Sequence, residues 1–124
     1  MARSASPHPT DGELELLQIL WQEGSSSLGK ICETLRQQRP IATTTVATML
    51  KVMLDKKLVH RKRGPQGYRW SAKTTRQNAA AGLVQKLVDS VFDGSAQCLV
   101  AHLLQSDQLS DKERQELRRL IDDK

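Results

Sequence analysis

Apolar side chains return at helical spacing in six stretches of this chain, with one short strand-like interruption between the third and the fourth. Leu14, Leu17, Leu20 and Trp21 line one face of a first helix, and Leu16 and Ile19 widen the stripe. Ahead of it, Thr10-Asp11-Gly12-Glu13 has the T-x-x-E form of a capping box: the threonine hydroxyl accepts an orphan amide and the glutamate reaches back. Gly24 closes this helix. Ser25, Ser26 and Ser27 then offer a cap for a shorter helix with Leu28, Ile31, Cys32 and Leu35 on one stripe, where Cys32 reads as a small core residue. Pro40 ends that pattern, because the residue before a proline disfavours the helical region.

A third helix is expected from Thr43 to about Lys57, burying Val46, Leu50 and Met53 with Met49 and Leu54 beside them. Its other side presents Thr44, Ala47, Thr48 and Lys51, a small hydrogen-bonding surface ending in a cation and able to enter a groove without steric conflict. Leu58–Arg63 and Tyr68–Ser71 then read as two strands around the turn signal Gly64-Pro65-Gln66-Gly67. Three helices followed by a basic hairpin are the order of a winged helix-turn-helix. The expected fold is therefore mainly α, with residues 1–9 a mobile tail and residues 10–73 this winged domain.

Residues 74–124 have a different character. A long helix from about Thr74 to Phe92 carries Leu83, Val84, Leu87, Val88, Val91 and Phe92. Asp93-Gly94-Ser95 stops it and caps a short apolar helix containing Leu99, Val100, Leu103 and Leu104. Ser110-Asp111-Lys112-Glu113 is a second capping box, opening a last helix with Leu117, Leu120 and Ile121. So short a segment does not bury three apolar stripes by itself. Packing against a second copy is the economical solution, so this region is expected to form a homodimer through Leu83, Leu87, Val88, Val91, Leu99, Leu103, Leu104, Leu117, Leu120 and Ile121. Folding back on the winged domain is the alternative.

Charge changes the picture because it is unevenly placed. The 124 residues carry a net charge of +5. Residues 51–76 hold nine Lys or Arg against the single acid Asp55. Such a cluster repels itself, and a polyanion relieves the repulsion while releasing its own counterions. By position, Thr43, Thr44, Ala47, Thr48 and Lys51 would face a DNA groove, and Arg61, Lys62, Arg63 and Arg69 would meet backbone phosphates from the wing. The expected partner is double-stranded DNA, and the alternative is a winged helix used for protein contact without sequence-specific DNA binding. Aromatic residues are only 3% of the chain, too sparse for the stacking platforms of single-stranded RNA binding.

Catalysis finds little footing. His8, His60 and His102 have no Cys, Asp or Glu partner at ligand spacing, there is no Gly-rich phosphate loop, and the chain is expected to be neither an enzyme nor a holder of metal or cofactor. His102 reads as a partly buried core histidine. Cys32 and Cys98 stand too far apart to suggest a metal pair or a disulfide framework. Apolar runs are only a few residues long and the opening MARSASPHPTDGE has no apolar segment, so the expectation is a cytoplasmic protein without membrane insertion.

Across roughly residues 10–123 the chain resembles the penicillinase-repressor family, the BlaI/MecI-type transcriptional repressors. The stretches that carry the likeness are LELLQILWQEG, ATTTVATMLKVMLDKKLV, GYRWS, VFDGSAQCLVAHLL and LSDKERQELRRLID, in that order. The resemblance implies a homodimeric winged-helix repressor on a palindromic operator, with the C-terminal helices forming the dimer. It further implies relief by a membrane metalloprotease that senses β-lactams and cuts the repressor in its C-terminal region. The Asn-Phe bond cut in well-known members aligns here on His102-Leu103. The family usually carries Arg where this chain has Val52 and Gly where it has Lys57. A valine cannot bind a phosphate as that arginine would, so Lys51, Lys56 or Lys57 would have to do so in its place. Copper-responsive relatives end in paired cysteines, whereas no cysteine follows Cys98 here.

Overall fold

A computed structural model describes residues 8–123. It contains α1 (Asp11–Glu23), β1 (Ser26–Ser27), α2 (Leu28–Arg36), α3 (Thr43–Asp55), β2 (Val59–Gly64), β3 (Gly67–Ala72), α4 (Arg76–Val91), α5 (Ala96–Gln105) and α6 (Asp111–Asp122). The chain divides into two compact units, the first running to Gly82 and the second from Leu83, so the division falls within α4. The fold is mainly helical, with a winged helix-turn-helix in the first unit.

Local chemistry explains where its helices begin and end. The capping box of α1 is complete: the Glu13 amide donates to Thr10 Oγ1 at 3.2 Å and the Thr10 amide donates to Glu13 Oε1 at 3.0 Å. Gly24 ends the helix at φ +77°, a conformation that favours glycine, and its amide donates to the Leu20 carbonyl. Ser27 caps α2, its hydroxyl accepting the Lys30 amide. The expected tail is only partly visible: residues 1–7 lie outside the described residues, while Pro9 is buried and the His8 carbonyl accepts a hydrogen bond from Lys56 Nζ at 2.9 Å.

The end of α3 carries a specific strain. Lys57 sits at φ +63°, the Lys57 amide donates to the Leu54 carbonyl at 3.1 Å, and the Leu58 amide donates to the Met53 carbonyl at 2.9 Å. These are the two bonds of a Schellman ending, whose left-handed position is normally glycine. Leu58 and Met53 are both buried, which supplies the apolar contact that fixes it. Helix α3 therefore ends at Asp55 and not at Lys57. Lys57→Gly is expected to stabilise the fold by about 1 kcal/mol, the approximate cost of a left-handed L-residue less the entropy glycine adds to the unfolded chain. A raised urea midpoint at unchanged denaturant slope would show it.

One apolar core joins the elements of the first unit. Leu16, Leu17 and Leu20 of α1, Ile31, Cys32 and Leu35 of α2, and Val46, Leu50 and Met53 of α3 are buried together with Val59 and Trp70 of the hairpin. Trp21 packs at its edge, and its indole N–H donates to the Thr74 carbonyl at 2.9 Å. The hairpin pairs Arg61 with Trp70 and Arg63 with Tyr68, and closes at Gly64 and Gly67. Pro65 presets the first turn position, and Gly67 takes φ +111°, which only glycine adopts without strain. The two-stranded wing has an unexpected third member: Ser26 and Ser27 pair with Trp70 and Arg69, giving the antiparallel order β1-β3-β2.

Beneath this core lies a buried ion pair. Lys56 Nζ stands 2.6 Å from Glu13 Oε1, and both side chains are only 6% exposed. Glu13 thus serves the α1 cap and a residue 43 positions away at once.

In the second unit the caps hold as expected and the core does not close. Ser95 caps α5, and Ser110 with Glu113 completes the capping box of α6. The Ser110 backbone amide, and then its hydroxyl, hold the Glu113 carboxyl below the usual carboxylate range; the cap is intact at neutral pH and loosens as pH falls through that lowered value. Helices α5 and α6 have no buried residue. Val88 is buried, Leu83, Leu99, Leu103 and Leu117 are half-buried, and Leu87, Val91, Leu104, Leu120 and Ile121 are exposed. His102, expected to be partly buried, is exposed with its ring 5.9 Å from that of Phe92, because α5 has little core to turn it toward.

Candidate nucleic-acid interface

The second half of the helix-turn-helix is held by an arginine. Arg36, at the end of α2, donates through Nε to the Ile41 carbonyl at 3.0 Å and through its terminal nitrogen to Thr43 Oγ1 at 2.6 Å. Ala42 at the N-cap of α3 supplies no side-chain bond, so this guanidinium ties down the turn instead. It also occupies the hydroxyl oxygen of Thr43, which is itself exposed.

With Val46, Leu50 and Met53 turned into the core, α3 exposes Thr44, Thr45, Thr48, Lys51, Val52 and Asp55. Ala47 is half-buried at the edge nearest the wing. Thr44, Thr48 and Lys51 therefore lie together on this face as their spacing suggests. Thr45 and Val52 belong to the same exposed arc, and the sequence pattern alone did not mark them as contact residues, although helical spacing from Thr48 reaches both.

Lys51 faces the wing across a notch of about 340 Å³, lined by Ser27 and Gly29 at the start of α2, Ala47 and Lys51 of α3, and Arg61 and Tyr68 of the hairpin, among others. Strand alternation places Arg61 and Arg63 on the sheet face that carries Trp70 and Tyr68, and Lys62 and Arg69 on the other. The Arg61 guanidinium lies 4.2 Å from the centre of the Tyr68 ring and 5.7 Å from that of Trp70. Stacked in this way, Arg61 is oriented before any partner arrives. Trp70 is buried, whereas Tyr68 is 43% exposed and serves chiefly as the platform under Arg61.

The cations are not equally available. Arg69 donates to the Ser25 carbonyl at 2.6 Å and to the Ser25 hydroxyl at 3.2 Å, bracing β3 against the segment after α1. Lys56 is consumed by Glu13, so it is not free to take the place of an arginine at a phosphate. Among the described residues, none accepts a hydrogen bond or forms an ion pair with the side chains of Lys51, Lys62 or Arg63, and all three are exposed. The surface thus combines a hydroxyl- and methyl-bearing helix with two uncommitted cations, Lys51 and Arg63, and one stacked guanidinium, while Lys62 lies on the other face of the hairpin. Such a combination suits a groove walled by phosphates.

No group of three or more His, Cys, Asp or Glu among the described residues is placed to hold a metal, and no described helix is long and apolar enough to cross a membrane. The family model described as Penicillinase repressor matches residues 9–123. The chain is similar to the methicillin resistance regulatory protein MecI of Mammaliicoccus sciuri, 22% identical over 115 residues, covering 93% of this chain and 94% of that protein. It is similar to the penicillinase repressor of Staphylococcus aureus, 20% identical over 111 residues, covering 90% and 88%. The penicillinase repressor of Bacillus licheniformis is 20% identical over 117 residues, covering 94% and 91%. Among solved structures, a MarR family protein from Bacillus stearothermophilus aligns over 92% of this chain and 71% of its own, with a TM-score of 0.47 and 19% identity.

Proposed function

Since the chain belongs to the penicillinase-repressor family of transcriptional repressors, we propose that it acts in the cytoplasm as a homodimer on an inverted-repeat operator. The observation that carries this reading is the coincidence, on one face of the first unit, of the exposed α3 arc with Lys51, Arg61 and Arg63. In this reading residues 10–73 bind DNA and residues 74–124 form the dimer. Helix α3 enters the major groove, with Thr44 and Thr48 at base edges, Lys51 at a phosphate or a guanine edge, and the wing along the neighbouring backbone. Repression is steric, because a dimer seated on a promoter excludes polymerase.

The dimer rests on the second unit, where Leu87, Val91, Leu104, Leu120 and Ile121 are exposed. Covering such side chains is worth about 1.5–3 kcal/mol each. A closed two-fold pair covers both copies at once. Relief then needs no change at the DNA surface. The His102-Leu103 peptide bond lies within α5, which has no buried residue in the single chain, so its local unwinding for a membrane metalloprotease costs little in a copy that has left the dimer. Each separated half reaches only half of the phosphates, and its affinity falls steeply at cellular salt.

Recovery of short duplexes from a random pool by the purified protein, at two salt concentrations, tests the proposal. An enriched inverted repeat whose binding weakens steeply with salt is expected; recovery of unrelated sequences, or none, would refute it. On the recovered repeat, Lys51→Ala and Arg63→Ala are each expected to flatten the slope of log affinity against log salt by about 1 per bound half, with the dimer intact. Unchanged slopes in both variants would remove these residues from the interface.

A further inference from the structure

Of the side chains that read bases two-pronged, the exposed arc of α3 carries Lys51 alone, at the side nearest the wing: Thr43–Asp55 contains no Arg, Asn, Gln or Glu, and its single carboxylate, Asp55, is the last residue. What the arc does contain is methyl groups. Thr45, Thr48 and Val52 fall at i, i+3 and i+7, so they stand in one ridge along the exposed surface. Val52 is 39% exposed on an otherwise polar face, on the side away from Ala47 and the wing notch. On the floor of the major groove the apolar group available to such a ridge is the C5-methyl of thymine. Threonine hydroxyls add single hydrogen bonds that several bases satisfy, so they discriminate weakly. Away from Lys51, the methyl contacts carry the sequence information that α3 supplies.

We propose that the ridge Thr45–Thr48–Val52 reads thymine C5-methyl groups, so that each half of the operator carries thymine opposite it. The inference rests on the operator reading and deepens it. Lys51, one residue before Val52 and turned toward the wing, is left to hold a phosphate or a guanine edge.

The test uses the full-length protein and the recovered duplex, with each thymine replaced singly by deoxyuridine, which removes only the methyl. One or more positions in each half are expected to lose roughly three- to fivefold in affinity, the value of one buried methyl. Val52→Ala and Thr48→Ser, both at exposed positions, are expected to bind more weakly and to lose that sensitivity at one thymine each. Specific binding that ignores every deoxyuridine would overturn the inference. Sensitivity that survives unchanged in both variants would also overturn it, because the methyl would then be read from elsewhere. If no sequence is enriched at all, the operator reading itself fails, an outcome distinct from either.

Discussion

A Leu120→Asp chain is expected to keep its first unit folded, to run as a monomer, and to lose operator binding by on the order of a hundredfold or more. Leu120 is 64% exposed in the single chain, so the substitution removes little from the fold of one copy. In a two-fold dimer the same leucine is covered twice. Losing about 2 kcal/mol of apolar burial per copy, before any cost of desolvating the new carboxylate, raises the dimer dissociation constant on the order of a thousandfold. Sedimentation and operator titration must move together. A Leu120→Asp protein that stays dimeric places the interface on another surface, and a monomer that binds the full operator as tightly as before removes the link between the two.

The largest loss of stability is expected from the buried pair beneath the core. Lys56→Met leaves the Glu13 carboxylate without its cation, and Glu13→Gln leaves the Lys56 ammonium buried without a counter-charge, with only neutral oxygens such as the His8 carbonyl to accept from it. Removing one member of a buried, hydrogen-bonded ion pair costs about 3–5 kcal/mol. For a chain of this size that corresponds to a melting temperature lower by roughly 10 °C or more. The double variant Glu13→Gln with Lys56→Met is expected to lose less than the sum of the two, since neither charge is then orphaned. Below their melting temperatures the variants should keep the wild-type salt slope of DNA binding, because Lys56 is only 6% exposed. A flattened slope for Lys56→Met would instead make this lysine a phosphate contact.

How much of this was legible in the sequence follows from the range of each signal. Both capping boxes, the three helices before the hairpin and the turn at Gly64–Gly67 are written within a few residues, and the chain adopts them where the pattern places them. The two-residue strand Ser26–Ser27 has no periodicity of its own and exists only because β3 runs beside it. Lys56 counts as part of a basic run in sequence, yet the fold brings it to a carboxylate 43 positions away and cancels it. Arg69 is likewise tied to Ser25, and Arg36 to Thr43 across the turn. A linear charge count therefore overstates the cations available to a polyanion, while Lys51, Lys62 and Arg63, whose side chains have no hydrogen-bond or ion-pair partner among the described residues, share no local signature that sets them apart. Val52 was legible as a departure from the family; its place on the methyl ridge required the exposed arc of α3 to be known.

Hydroxyl-radical footprinting of the full-length protein on the recovered duplex tests the central claim most directly. The expected result is two symmetric sets of protected sugars centred about one helical turn apart, both abolished together when Leu120→Asp replaces the wild-type chain. A single protected patch, or protection spread evenly along the duplex, would contradict a dimer that places one α3 in each half of an inverted repeat.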